Sequence, residues 1–146
     1  MRVLVQKSGY ANVSIDNKIY NEIDNGLVIF VGFTHSDDEK IIDFMVNKVI
    51  NLRIFEDENN IMTKSVLDVN GSILSISQFT LYADSKKGNR PSYINAMPGE
   101  KSSILYDLFN KKLNEHIKTL PGVFGADMKI NLTNIGPTTI MLEKEN

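Results

Sequence analysis

The chain has 146 residues, of which 42% are hydrophobic and 23% charged, with a net charge of −2 and no cysteine. That length suits one domain burying roughly 70% of its unfolded surface, and the lack of thiols excludes disulfides, thiolate nucleophiles, zinc-thiolate sites and iron–sulfur clusters. A negative balance is unlike the basic footprint of most duplex binders, so any nucleic acid must be held by a local patch.

The opening run, Met1 to Lys7, is too short and too quickly polar for a signal peptide. The longest apolar run, Gly26 to Phe33, is far below the ~18 residues of a membrane span, so a cytoplasmic chain with no membrane partner is expected. Arg2 to Lys7 alternates like a strand, and Ala11 to Ile15 with Lys18 to Ile23 predicts a hairpin around the turn-forming pair Asp16-Asn17. Gly26 to Phe33 is apolar on both alternating faces, the mark of a central strand covered on two sides. Ser36-Asp-Asp-Glu39 has the spacing of a capping box. Ile42, Met45, Val46, Val49 and Ile50 then follow at helical spacing to about Leu52.

Residues 53 to 69 carry only a weak pattern, and short extended pieces are expected there. Gly71 to Gln78 predicts the next strand. Pro98 suits the first turn of a second helix, whose apolar stripe reads as Leu105, Phe109, Leu113 and Ile117, joined by Ile104 and Leu108 and ended by Pro121-Gly122. Val123 to Thr133 and Thr138 to Glu143 predict two closing strands, connected through Asn134-Ile-Gly-Pro137. This order gives a single α/β domain over residues 1 to 146, a β-rich sheet or barrel core with two helices on one side.

The stretch from Ser77 to Ser92 leaves an apolar strand, turns polar at once and enters a Gly/Asn/Pro loop with three positive charges. A rigid strand end that becomes a polar loop is a usual place for a site. No GxSxG elbow, Walker loop, HExxH, GxGxxG or EF-hand loop is present. Two separated histidines, His35 and His116, suit a pre-helix position and a helix end better than catalysis, and with no clustered carboxylates neither metal nor organic cofactor is expected. What remains is hydroxyl and amide chemistry at Ser77, Gln78 and Thr80, with the main chain of Phe79. Regular alternation would send Ser77 and Phe79 to one face and Gln78 and Thr80 to the other. A Thr hydroxyl is a poor nucleophile without an activating base, and none is adjacent in sequence, so positioning is favoured over attack. On the residues alone, Ser77 to Thr80 reads equally as a strand end capped by local hydroxyl bonds. Lys86, Lys87 and Arg90 read either as phosphate contacts or as a solvated basic loop, and Gly136-Pro137 as a turn, with no reason in the sequence to invoke a cis bond.

The run Ser77-Gln-Phe-Thr-Leu-Tyr-Ala-Asp84 followed by Gly88-Asn-Arg-Pro-Ser92 resembles the D-aminoacyl-tRNA deacylases. So do Val5-Gln6, Asn51 to Asp57, Gly122 to Ala126, and Gly136-Pro137 within Asn134 to Thr139, so the likeness covers nearly the whole chain. The resemblance implies three layers, α/β/β, in the order β2-(βα)2-β3, and a cofactor-free homodimeric hydrolase acting on D-aminoacyl-tRNA and mischarged glycyl-tRNA. It implies that main-chain N–H groups at Phe79 and Thr80 hold the ester carbonyl and its oxyanion while a 2′-hydroxyl of the terminal adenosine assists. A cis Gly136-Pro137 from one subunit would enter the other's site, its carbonyl oxygens facing the α-amino group and its rigid wall excluding L side chains. Phe124 and Met128, on one face of the expected closing strand, match positions that hold the terminal adenine; that face could also be core, but the resemblance favours contact with the base. Arg53 matches the family arginine without an assigned role. Lys7 stands where the family usually has arginine, which weakens any side-chain bond to the Gly-Pro loop, and Ser102 stands where many relatives have alanine. Two other readings stay open, a non-catalytic RNA-end binding module of the same fold and a small-ester hydrolase with Thr80 as nucleophile.

Overall fold

The computed structural model describes residues 1–146. Strand β1 (Arg2–Ile15) is one continuous 14-residue strand, where the sequence predicts two separate pieces. It turns through Asp16 and Asn17, at φ 51° and 61°, into β2 (Lys18–Ile23). Two consecutive residues at positive φ twist a two-residue hairpin the right way, and Asp and Asn tolerate that conformation. The first half of β1 pairs antiparallel with β3 (Gly26–Gly32), its second half with β2. Strand β6 (Ser72–Ser77) runs parallel to β3, and β7 (Thr119–Pro121) parallel to β6. The 15-residue β8 (Lys129–Glu143) pairs along nearly all of β1. The Asn21 Nδ2 group of β2 donates to Pro121 O of β7 at 2.7 Å, so the sheet almost closes on itself.

Helices α1 (Glu39–Asn51) and α2 (Gly99–Asn114) lie on the same face, and the two apolar clusters show the layering. Val3, Val5, Leu27, Ile29, Val31 and Ile73 point to the helices. Ala11, Val13, Ile23, Val28, Leu74 and Ile76 fill the space between the two β layers. Opposite parity on the same strands explains the two-sided apolar pattern of Gly26 to Gly32. Between α1 and β6 a small hairpin forms, β4 (Phe55–Glu56) with β5 (Met62–Lys64), closed by Asp57 accepting from Asn59 N, Ile61 N and Thr63 Oγ1. The fold class and the order of the elements up to α2 hold, but the two expected closing strands are one continuous β8 that starts at Lys129, and the unexpected β7 precedes it.

Several local expectations are corrected. The cap of α1 is Asp38, whose side chain accepts from Ile41 N at 3.1 Å, and the helix starts at Glu39 instead of following a Ser36 cap. Asp37 instead lies buried against the Met1 amino group at 2.8 Å and accepts from Thr34 N. Pro98 is the N-cap of α2 and lies before its first turn. The buried face of α2 is Ser102, Tyr106, Phe109, Asn110 and Leu113, while Ile104 is 65% exposed. Tyr106 faces inward because its hydroxyl donates to Ser75 O at 2.6 Å. The helix ends at Asn114, well before Pro121-Gly122, and Pro121 is the last residue of β7. No helix is long and apolar enough to cross a membrane.

Candidate active site

Strand β6 stops at Ser77, and a 3-10 turn occupies Phe79–Tyr82. The predicted alternation of Ser77 to Thr80 therefore fails beyond Ser77. Gly32 at the end of β3 makes the turn possible, since a Cβ there would stand 2.9 Å from Gln78 O and 3.1 Å from Leu81 Cβ. Gln78 N still donates to Val31 O at 2.7 Å, which ties the turn's first residue to the sheet. At the other end Arg2 Nη1 donates to Leu81 O at 2.8 Å, and its guanidinium lies 4.5 Å from the Tyr82 ring centroid. The turn is thus pinned at both ends by the rigid part of the fold.

The N–H groups of Phe79 and Thr80 open this turn, where no preceding carbonyl is available to them within it, and Gln78 offers no capping side chain. Gln78 Nε2 donates instead to Thr80 Oγ1. The Thr80 oxygen is therefore an acceptor from an amide, with no carboxylate or imidazole on it, and its own proton is left to donate. His35 is occupied elsewhere, its Nε2 2.7 Å from Ile94 O, and exposed His116 lies just past the end of α2.

Beside the turn is a cleft of about 320 Å³ lined by Ile76, Ser77, Gln78, Phe79, Phe124 to Met128 and Ile130. Phe124 and Met128 do not lie on a strand. Val123 to Met128 forms an irregular loop before β8, which begins at Lys129, so their apolar side chains face this cleft instead of one face of a sheet. Phe124 packs its inner side on Tyr106, with ring centroids 6.0 Å apart. Thr80 does not line the cleft, while Ser102, at the start of α2, lines a narrow gap next to Ser77, Phe79 and Phe124. Phe79 is 55% exposed and meets Tyr93 edge to face at 5.0 Å.

None of the basic loop's side chains lines the cleft. Lys86, Lys87 and Arg90 are exposed, and Lys86 borders a separate polar hollow with Arg2, Tyr82, Asn95 and Glu145. Arg53 is exposed with no hydrogen-bonded or ionic partner among its contacts. No three His, Asp or Glu side chains come together in a way that could hold a metal ion.

Gly136 and Pro137, joined by a cis peptide bond, are exposed on β8. Ser8 pairs with Asn134 and Gln6 with Thr139, so the four residues Ile135 to Thr138 bulge out opposite Lys7 alone. Counting four residues along the strands and three strand spacings across, this bulge lies roughly 20 Å along the sheet from Ser77 of the same chain. Lys7 does not hold it by its side chain, since Lys7 Nζ sits 5.4 Å from the Phe55 ring centroid. Asn134 and Gln6 do, a role the sequence hid because Asn134 reads only as a turn residue. Nor did the sequence single out Arg2 or Gly32, whose importance depends on what packs against them.

The family described as D-Tyr-tRNA(Tyr) deacylase matches residues 4–143. A D-aminoacyl-tRNA deacylase of Listeria monocytogenes serotype 4a is 51% identical over 146 residues, covering 99% of this chain and 97% of that protein. One of Limosilactobacillus reuteri is 52% identical over 145 residues, covering 99% and 100%. Among solved structures, the c-Myc DNA Unwinding Element Binding Protein superposes with a TM-score of 0.92 at 38% identity, covering 100% of each chain. A probable eukaryotic D-amino acid tRNA deacylase superposes with a TM-score of 0.85 at 17% identity over 97% of each, a likeness of fold alone. Since the family match takes in the turn after β6, the loop before β8 and the Gly-Pro bulge together, the chain belongs to the D-Tyr-tRNA(Tyr) deacylase family.

Proposed function

We propose that the chain hydrolyses the ester between a D-amino acid, or glycine, and the 3′ end of tRNA, and spares the L-aminoacyl ester. The observation that carries this reading is that the turn opening with the main-chain N–H groups of Phe79 and Thr80, which have no capping side chain, stands beside a cleft bordered by Phe124 and Met128. A cleft of that size takes one base, and an aromatic beside a flexible thioether grips it without hydrogen-bond readout. The ester carbonyl then sits against the two N–H groups. Water adds to the carbonyl carbon, the oxyanion forms against the donors, and the bond to the ribose oxygen breaks as that oxygen takes up a proton. The 2′-hydroxyl of the terminal adenosine orients the water. Fixed dipoles of this kind act where charge develops, and each is worth about 10²–10³ in rate.

Gly136 and Pro137 supply the selection, their carbonyl oxygens facing the substrate amino group. Since the bulge stands roughly 20 Å along the sheet from its own chain's turn, the reading requires a homodimer in which each copy completes the other's site. Lys86, Lys87 and Arg90 take phosphates of the acceptor end, in the cytoplasm where charged tRNA is found. A structural relative is described as binding a DNA element, but a net charge of −2 with three clustered basic side chains offers little to a duplex.

Incubation with D-, L- and glycyl-tRNA in the presence of a chelator tests the proposal. It requires release from the D and glycyl esters only, unaffected by the chelator. Retention without release would mean a binding module, and turnover of simple esters lacking adenosine would mean direct attack by Thr80.

A further inference from the structure

The bulge on β8 has a construction that goes beyond glycine and proline. Four residues opposite one leave the ladder between β1 and β8 interrupted, so the backbone groups at the base of the bulge need partners from elsewhere. Asn134 supplies them. Its Nδ2 donates to Lys7 O on the neighbouring strand at 3.0 Å and to Thr138 O on the far side of the bulge at 2.9 Å. Its Oδ1 accepts from Gln6 Nε2 at 3.3 Å and from Thr139 Oγ1 at 3.0 Å. All four bonds use the amide in one orientation, so the side chain is fixed by its own network. The single proton of the Thr139 hydroxyl has two acceptors in reach, Asn134 Oδ1 and, at 3.2 Å, Pro137 O, so the same hydroxyl stands between Asn134 and one of the carbonyls assigned to selection.

We infer that Asn134, supported by Gln6, is the clasp that sets where the Gly136 and Pro137 carbonyls point, and so determines selectivity without touching substrate. The inference rests on the selective role proposed for the Gly-Pro pair. It explains how this chain manages with lysine at position 7. The Lys7 side chain lies over Phe55, and the residue contributes to the bulge only through its main-chain carbonyl. Asparagine is suited to the task because it offers two donors and an acceptor within one short, planar group. Aspartate has the same shape but no donor, and would set a carboxylate against two carbonyl oxygens.

The test compares kcat/KM for D- and L-aminoacyl-tRNA in the wild type, Asn134→Ala, Asn134→Asp, Gln6→Ala and Gly136→Ala, with thermal midpoints measured alongside. A displacement of about 1 Å costs a positioned group up to about 10²-fold, so the D/L ratio of Asn134→Ala and Asn134→Asp should fall roughly tenfold or more. The change should come mainly from a gain of L-ester release, which a merely weakened fold would not produce. Gln6→Ala should lower the ratio less, since both carbonyl bonds of Asn134 remain. An unchanged ratio in folded Asn134 variants overturns the inference. If those variants do not fold, Gln6→Ala decides it, a lowered ratio supporting the clasp and an unchanged one refuting it. Gly136→Ala separates the two levels. A change there with none at Asn134 removes the clasp and keeps the Gly-Pro role, whereas no change at either removes both.

Discussion

Phe79 carries two separable things beside the cleft, a ring that lines it and an amide hydrogen that the proposed mechanism uses. Proline is tolerated at the first position of a helical turn and has no N–H, so Phe79→Pro deletes the donor, while Phe79→Ala deletes the ring and keeps it. With the oxyanion held by main chain, Phe79→Pro should lower kcat about 10²–10³-fold, and Phe79→Ala should act mainly on KM. Thr80→Ala should lose no more than one donor's worth, because its hydroxyl already accepts from Gln78 and touches no base. Complete loss of turnover in Thr80→Ala, with tRNA binding intact, would contradict positioning and favour a covalent step. The run Ser77 to Thr80 stood out in sequence as a candidate site because its polar residues follow an apolar strand. Which way each side chain points was not evident, because the turn depends on Gly32, a residue of another strand 45 positions upstream of Ser77.

At the scale of elements, the same contrast recurs. Strand β3 and α1 were legible because their burial is apolar and periodic, and the β1–β2 hairpin because Asp16-Asn17 is a turn-forming pair, although β2 itself is mostly exposed. The face of α2 was not, because it buries Ser102 and the hydrogen-bonded Tyr106 where a count of apolar residues selects Ile104. Strand β7 was missed because three residues ending in proline do not read as a strand, although an edge position allows it. The loop from Val123 to Met128 was mistaken for a strand because its apolar side chains serve the cleft. Two buried phenols anchor these elements. Tyr82 is held above the ordinary tyrosine value of 10.0 by burial and then by the charges of Asp37 and Glu145, and Tyr106 by burial. A raised value favours the neutral form in the folded chain. The stability these groups contribute is thus fully present below the unfolded value and is lost as pH rises towards the folded one. Urea midpoints should therefore fall between about pH 9 and about pH 11, and Tyr82→Phe with Tyr106→Phe should flatten that fall. An equally steep fall in the double variant would contradict this origin.

For the whole molecule, the nearly closed sheet separates the bulge from the turn, so the selection proposed for Gly136-Pro137 requires two copies. In the proposed homodimer, isologous pairing would supply this without new chain, since each copy lends what it receives. Two variants then complement each other in a defined way. A Gly136→Ala subunit retains the donors but lets L-esters in, and a Phe79→Pro subunit lacks a donor but carries an intact Gly-Pro bulge. The most direct measurement is L-ester release by Gly136→Ala after subunit exchange with a large excess of Phe79→Pro. If selection acts across the dimer, L-ester release falls to the wild-type background while D-ester release by the same subunits persists. L-ester release that stays unchanged through complete exchange would contradict it.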